Sequence, residues 1–159
     1  MEFSALIDSF AKRTGIGELL PDANGLISVE FSGHVVCFSE LPQVQHLAIY
    51  GHVGELPENA GGDLLLPLMR ANFLGQLTCG ATLSLSPEDN RTIVLHQLIP
   101  LTALDEDLFA SAVETFVNIL MVFHSQVESF PVIADELGKR KTAEKAAAKE
   151  GDAAGFMRV

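Results

Sequence analysis

Residues 26–53 contain three short runs rich in β-branched and aromatic side chains: LISVEF (Leu26–Phe31), HVVCFSEL (His34–Leu41) and HLAIYGHV (His46–Val53). Only Ser32-Gly33 separates the first two. Two residues can close an antiparallel hairpin, whereas a parallel crossover takes a dozen or more. The third run follows Pro42 after a short gap, so the three read as an antiparallel meander on which the rest of the chain must pack.

The flanking segments switch to helical spacing. Phe3, Leu6, Ile7 and Phe10 fall at i, i+3, i+4 and i+7, and Gly15 supplies a stop. After turn-forming residues at 57–62, Leu65, Leu68, Met69 and Phe73 mark a second helix over Leu64–Leu77. Pro67 is compatible with a first turn, which predicts a start near Asp63. The run CGATLSLSP alternates, with Ala81, Leu83 and Leu85 on one face and Thr82, Ser84 and Ser86 on the other, as a half-wet strand does. A turn at Pro87–Asn90 leads into RTIVLHQLIPL. Thr102 and Asp105 then form a T-x-x-D capping pattern ahead of a long helix over Asp105–Ser129, whose stripe is Phe109, Ala112, Val113, Phe116, Leu120, Phe123 and Val127. The expected fold is α+β: helix, three-stranded antiparallel meander, helix, two or three strands, long C-terminal helix, in a single α/β-sandwich domain.

Charge divides the chain. Residues 1–130 hold 16 acids and 4 bases, while 131–159 hold 5 acids and 6 bases. The expected domain is therefore 1–130, followed by a flexible basic, Ala/Lys-rich tail over 131–159. A net charge of −11 argues against nucleic acid and anionic membrane as partners, since phosphate affinity rests on Lys and Arg. The longest uncharged stretch, Ala71–Pro87, is short of a bilayer span and carries glycines and polar residues, so no membrane insertion is expected. Charges at Glu2, Asp8, Lys12 and Arg13 interrupt any secretory h-region, which favours the cytoplasm. Cys37 and Cys79 read as two small buried hydrophobes, not as a bridge.

Motifs for chemistry are few. His34-x-x-Cys37 has metal-like spacing, but an offset of three puts the pair on opposite faces of a strand, and no second ligand pair follows. Gly15-Ile16-Gly17 lacks a preceding strand and a third glycine. Glu88-Asp89 and Asp105–Asp107 read as a turn and a helix start. His46, His52 and His124 stand alone. Cys79 with His96 as thiol and base would make a cysteine enzyme, yet Cys79 has no cationic neighbour in sequence. No cofactor, metal or catalytic residue is expected, and the chain reads as a binding protein.

Three strings carry a resemblance: DSFAKRTGIGEL (Asp8–Leu19), IYGHVGELP (Ile49–Pro57) and LMRANFLGQLTCGATLSL (Leu68–Leu85). Together with size, acidity and element order over residues 3–128, they resemble class I type III secretion chaperones, the family of the Tir chaperone (CesT-like). The tail is not part of the resemblance, and Phe73-Leu74 stands where relatives place a Trp. It implies a cytoplasmic, ATP-independent homodimer that keeps the extended N-terminal segment of one or more effectors soluble and secretion-competent, with a secretion-apparatus ATPase as a further partner. By the same resemblance Leu65, Leu68, Met69, Asn72, Phe73, Leu83 and Leu85 form the dimer interface. Phe3, Ile7, Phe10, Phe31, Val36 and Phe38 are the expected effector-binding patch. The alternatives are a regulatory chaperone of the same fold that sequesters a secreted regulator, a thiol enzyme using Cys79, and a roadblock- or profilin-type scaffold.

Overall fold

A computed structural model of the chain describes residues 2–57 and 61–155. Its elements are α1 (Phe3–Thr14), β1 (Ile27–Phe31), β2 (His34–Leu41), β3 (His46–Glu55), α2 (Gly61–Ala71), β4 (Thr82–Leu85), β5 (Thr92–Pro100) and α3 (Glu106–Gly155), with 3-10 turns at Phe73–Gly75 and Leu101–Ala103. By contact density the chain divides into two compact units, Met1–Val127 and Glu128–Val159. In the second, helix runs through Gly155. The Ala-, Lys- and Glu-rich composition there favours helix strongly enough to carry Pro131, which costs one main-chain bond. The sequence reading ended the helix at Ser129 because it gave the proline more weight. Residues 156–159 of the expected tail lie outside the described residues, as do 58–60 of the turn expected at 57–62.

The five strands form one antiparallel sheet in the order β1-β2-β3-β5-β4. Ser32 and Gly33 both adopt positive φ, 51° and 87°, the mirror-image turn whose twist matches a two-residue hairpin. One sheet face presents Ile27, Val29, Val36, Phe38, Leu47, Ile49, Leu95 and Leu83, all buried. Upon it lie Leu6, Ile7, Phe10 and Ala11 of α1 and Phe109, Val113, Phe116, Leu120, Phe123 and Val127 of α3. Phe10, Phe38 and Phe109 form the centre, with ring centroids 5.4–6.4 Å apart in tilted and edge geometries. Over Glu106–Pro131, α3 is long and apolar enough by composition to cross a membrane, with a mean hydropathy of 1.4. Its apolar stripe is the one committed to the sheet, as in the core helix of a soluble sandwich.

Three local expectations change. The cap of α3 is Asp105, whose Oδ1 accepts the Leu108 N–H at 2.8 Å, while Thr102 sits inside the 3-10 turn, too early to cap. Second, α2 begins at Gly61, so Pro67 lies in its second turn and the Asp63 carbonyl loses its helical donor. Third, α2 stops at Ala71, short of Leu77. A compact turn follows in which Gly80 N–H bonds the Gly75 carbonyl at 3.1 Å, and a Cβ on Gly75 would come within 2.9 Å of the Gly80 Cα. That close approach ends the helical pattern, and both glycines take positive φ.

In the β4–β5 turn, Asp89 accepts the Thr92 hydroxyl at 2.6 Å and the main-chain N–H groups of Arg91 and Thr92 at 2.9 Å. The Thr92 hydroxyl first, then these N–H groups, hold its carboxyl at about 2, below the ordinary 3.8. A depressed folded value means a contribution fully present above the unfolded pKa and lost as pH falls through the folded one. Asp89→Ala is expected to lower the urea midpoint at pH 7, with the gap from wild type closing between pH 4 and pH 2. A gap independent of pH would refute the assignment.

Candidate functional site

Helix α2 carries two apolar stripes. Leu64, Leu68 and Ala71 turn inward and are buried, whereas Leu66 and Met69 turn outward. Past the helix, Leu74 takes φ 53°, a left-handed conformation that a non-glycine residue adopts at a cost. Phe73, Leu74 and Leu77 remain 67%, 77% and 66% exposed, and Phe73 and Leu74 share one apolar surface with Leu66 and Met69, exposed at 54% and 69%. It contains a hollow of about 740 Å³ lined by Leu66, Met69, Arg70, Asn72, Phe73 and Leu74. Soluble monomers rarely leave contiguous apolar patches beyond a few hundred Å² open, because covering that much is worth on the order of 10 kcal/mol before ordering costs.

A second concavity lies between α1, the end of β1 and the start of α3. This groove of about 480 Å³ is lined by Phe10, Phe31, Ala110, Val113 and Val117, with Arg13, Thr14, Asp107, Glu114 and Asn118 at its rim. Phe10 and Phe31 meet edge-on with centroids 6.3 Å apart. Arg13 donates to Asp107 across the mouth at 2.5 Å, an exposed pair of the kind worth about 0–1 kcal/mol. Beside the groove runs the free edge of β1. Leu26, just before it, is tied off by Asp22, which takes the Leu26 N–H on Oδ1 and gives its own N–H to the Leu26 carbonyl.

On the sheet face away from α1 and α3, register aligns Ser28, Cys37, Tyr50, His96 and Thr82 in one row, with Val35 and Leu98 on neighbouring rows exposed at 50% and 54%. Burial, then the neighbouring Cys37 and Asp22, raises the Tyr50 hydroxyl above its usual value, so it stays neutral and able to donate. Both cysteines are free; Cys37 is half-buried and Cys79 exposed at φ 50°, in contrast to the buried pair expected from sequence. Among the described residues no group of three or more His, Cys, Asp or Glu is placed to hold a metal ion.

The expected site residues divide by burial. Of the effector-binding set, Ile7, Phe10, Val36 and Phe38 are 0–5% exposed and belong to the subunit's own core, while Phe3 and Phe31 are half-buried. Helical and strand periodicity marks the face that is covered without saying by what, and here α1 and the sheet cover each other. Within the dimer set, Leu68 and Leu83 are buried, Leu65, Asn72 and Leu85 half-buried, and Met69 and Phe73 open. Leu66, Leu74, Leu77, Val35 and Leu98 are exposed apolar residues absent from both sets. A signal for Leu66 existed, since Leu66, Met69 and Phe73 repeat at i, i+3 and i+7 beside the Leu64–Leu68 stripe.

A model of the Tir chaperone protein (CesT) family matches residues 5–121. The chain belongs to that family. No curated protein sequence matches it. Solved structures share the fold of this CesT-family chain: the HopA1–SchA chaperone–effector complex (TM-score 0.64, 16% identity, 77% of this chain and 93% of that one). So do the ExsC–ExsE complex (0.64, 15%, 80% and 97%) and the Yersinia pestis type III secretion chaperone SycH with a fragment of YscM2 (0.61, 20%, 77% and 99%). The family match ends at Met121, inside α3, and does not reach the second unit.

Core and surface make distinct predictions for this CesT-family chain. Phe38→Ala is expected to cost about 3–5 kcal/mol in chemical denaturation, and Val35→Thr on the open face less than about 0.5. Comparable losses from both would mean that Val35 is covered.

Proposed function

We propose that this chain is a cytoplasmic type III secretion chaperone that acts as a homodimer and holds the extended N-terminal segment of an effector soluble and secretion-competent. The observation that carries the reading is a filled core combined with an apolar surface left over. Leu66, Met69, Phe73, Leu74 and Leu77 stay in water although Leu6, Ile7 and Phe10 of α1 and Phe109, Phe116 and Leu120 of α3 are covered. Such a patch on one face of α2 suits a self-complementary contact between two copies, the commonest symmetry of small soluble oligomers. The dimer contact we propose is therefore Met69 and Phe73, flanked by Leu65, Asn72 and Leu85, with Leu66, Leu74 and Leu77 added.

For the effector, the proposed contact is the groove at Phe10 and Phe31 together with the β1 edge and half-buried Phe3, while Ile7, Val36 and Phe38 stay in the core beneath. An extended segment laid there would gain main-chain hydrogen bonds from the strand and place alternate side chains in the groove. The family membership and the solved chaperone–effector complexes of the same fold support this reading. Action is by binding and not by turnover, and Cys79 takes no part in it.

The test is mass and protection. The purified protein is expected to run at twice its 17.1 kDa chain mass, and Phe73→Glu or Met69→Glu at the chain mass, with secondary structure retained. Incubated with N-terminal segments of effectors encoded near its gene, the wild type should shield a stretch of one of them from protease. A monomeric wild type that protects none would end the proposal; a captured partner that is itself a secreted regulator would move the chain to the regulatory alternative.

A further inference from the structure

The sheet has two edges, β1 and β4, and the second is blocked inside its strand. In an antiparallel ladder, residues alternate between pairs that exchange both main-chain bonds and pairs that exchange none. The two-residue turn at Ser32-Gly33 makes Phe31 and His34 a bonded pair, so Val29:Val36 and Ile27:Phe38 are bonded too. On β1, the peptides of Ser28 and Glu30 therefore point away from the sheet. The alternation carries across it: Cys37:Tyr50 between β2 and β3, Gly51:Leu95 and Ile49:Gln97 between β3 and β5, then His96:Thr82 and Val94:Ser84 between β5 and β4. By this phase Leu83 and Leu85 are the β4 residues whose N–H and C=O point outward, Leu83 inside the strand and Leu85 at its last position.

The two outward groups of Leu83 are taken by one side chain. Asn72 accepts the Leu83 N–H on Oδ1 at 2.8 Å and donates Nδ2–H to the Leu83 carbonyl at 2.9 Å, the donor–acceptor pair that a neighbouring strand would offer. Its amide, held at the end of α2, has the geometry of a single added peptide. At β1, Asp22 closes Leu26 in a related way, but no described residue bonds the outward groups of Ser28 and Glu30. Both residues are exposed.

We infer that Asn72 is a surrogate strand that blocks the β4 edge at Leu83 and leaves only the terminal Leu85 open there, so that an extended segment, which needs successive outward residues, adds to this sheet at β1 alone. The assignment of a segment to β1 rests on the effector-holding reading above, whereas closure of β4 stands on geometry independent of it. Beyond flanking the proposed dimer contact, Asn72 thus fixes where chain can be added, to this copy or by another one.

Hydrogen exchange on the full-length protein tests this. In the free wild type the Leu83 amide is expected to exchange at least about tenfold more slowly than those of Ser28 and Glu30, the protection of one ordinary hydrogen bond. With a synthetic peptide of residues 81–88 (ATLSLSPE) as the extended probe, Ser28 and Glu30 should gain protection while Leu83 stays unchanged. Asn72→Ala should expose Leu83, let the probe protect it, and shift the protein to assemblies larger than wild type. Adding Leu83→Pro to that variant removes the outward N–H without touching a ladder bond and should restore the wild-type size. A merely structural role for Asn72 would not be rescued by a proline. Fast exchange at Leu83 in the free wild type overturns the closure, a measurement that holds even where Asn72→Ala fails to fold, and so does Asn72→Ala remaining at wild-type size with Leu83 still protected. Probe protection at Leu83 in the wild type overturns the restriction to β1. A protected Leu83 with enlarged Asn72→Ala assemblies, but no probe bound to the wild type, supports the closure and counts against effector holding.

Discussion

Two glycines on β3 set how closely α3 can approach the sheet. A Cβ on Gly51 would stand 2.7 Å from Leu120 Cδ2, and one on Gly54 2.8 Å from Val127 Cγ1. Because neither position has a side chain, the helix settles directly on the strand and Phe109, Phe116 and Leu120 are fully enclosed. This seating uses up one face of the sheet. With α1 beside α3 no room remains there for α2, whose outward stripe and following turn are left without an internal partner. The surfaces proposed to bind other chains are thus a consequence of how completely the first layer closes.

Such surfaces invite aggregation, and the charge distribution answers that. Residues 1–130 hold 16 acids against 4 bases, so copies repel at long range while apolar contact operates at short range. Only partners that cover the patches well overcome the repulsion, which favours a symmetric twin or an apolar extended segment over indiscriminate clustering. The proposed block of the β4 edge at Leu83 acts in the same direction, since an open edge beside an exposed apolar helix is a template for unlimited strand pairing.

Most of the architecture was legible in the sequence. The Ser32-Gly33 spacing left one topology for β1 and β2, the alternation at Ala81–Ser86 marked β4, and the 3.6-residue stripes marked α1 and α3. Helix ends were less legible: the stop of α2 depends on Gly75 and Gly80 meeting backbone to backbone, a contact between residues that no local pattern announces. The surface was the hardest part to read. Hydrophobic periodicity reports a covered face and is silent on the cover, so it did not show that Ile7 and Phe38 lie in this subunit's own core, and nothing local announces that Asn72 bonds Leu83, eleven positions away. Leu66 was readable in hindsight, as the second stripe of a helix apolar on two sides, a pattern that ordinarily signals full burial.

The division of labour between edge and groove follows from magnitudes. Four outward groups at Ser28 and Glu30 can add four main-chain bonds, each worth about 0.5–1.5 kcal/mol net. Ordering the backbone of an extended segment costs about 1–2 kcal/mol per residue, so main-chain bonds alone cannot hold even a short one. The balance must come from apolar side chains entering the groove at Phe10 and Phe31, each worth about 1.5–3 kcal/mol when fully buried. The strand edge then sets register and direction while the groove supplies affinity, and neither reads side-chain identity beyond size and polarity. The proposed dimer would present this pair of features twice on one body, which would raise the effective concentration of the second site for any segment long enough to span both. On that reading weak individual contacts suffice to hold a client, and remain easy to break one at a time when it is released.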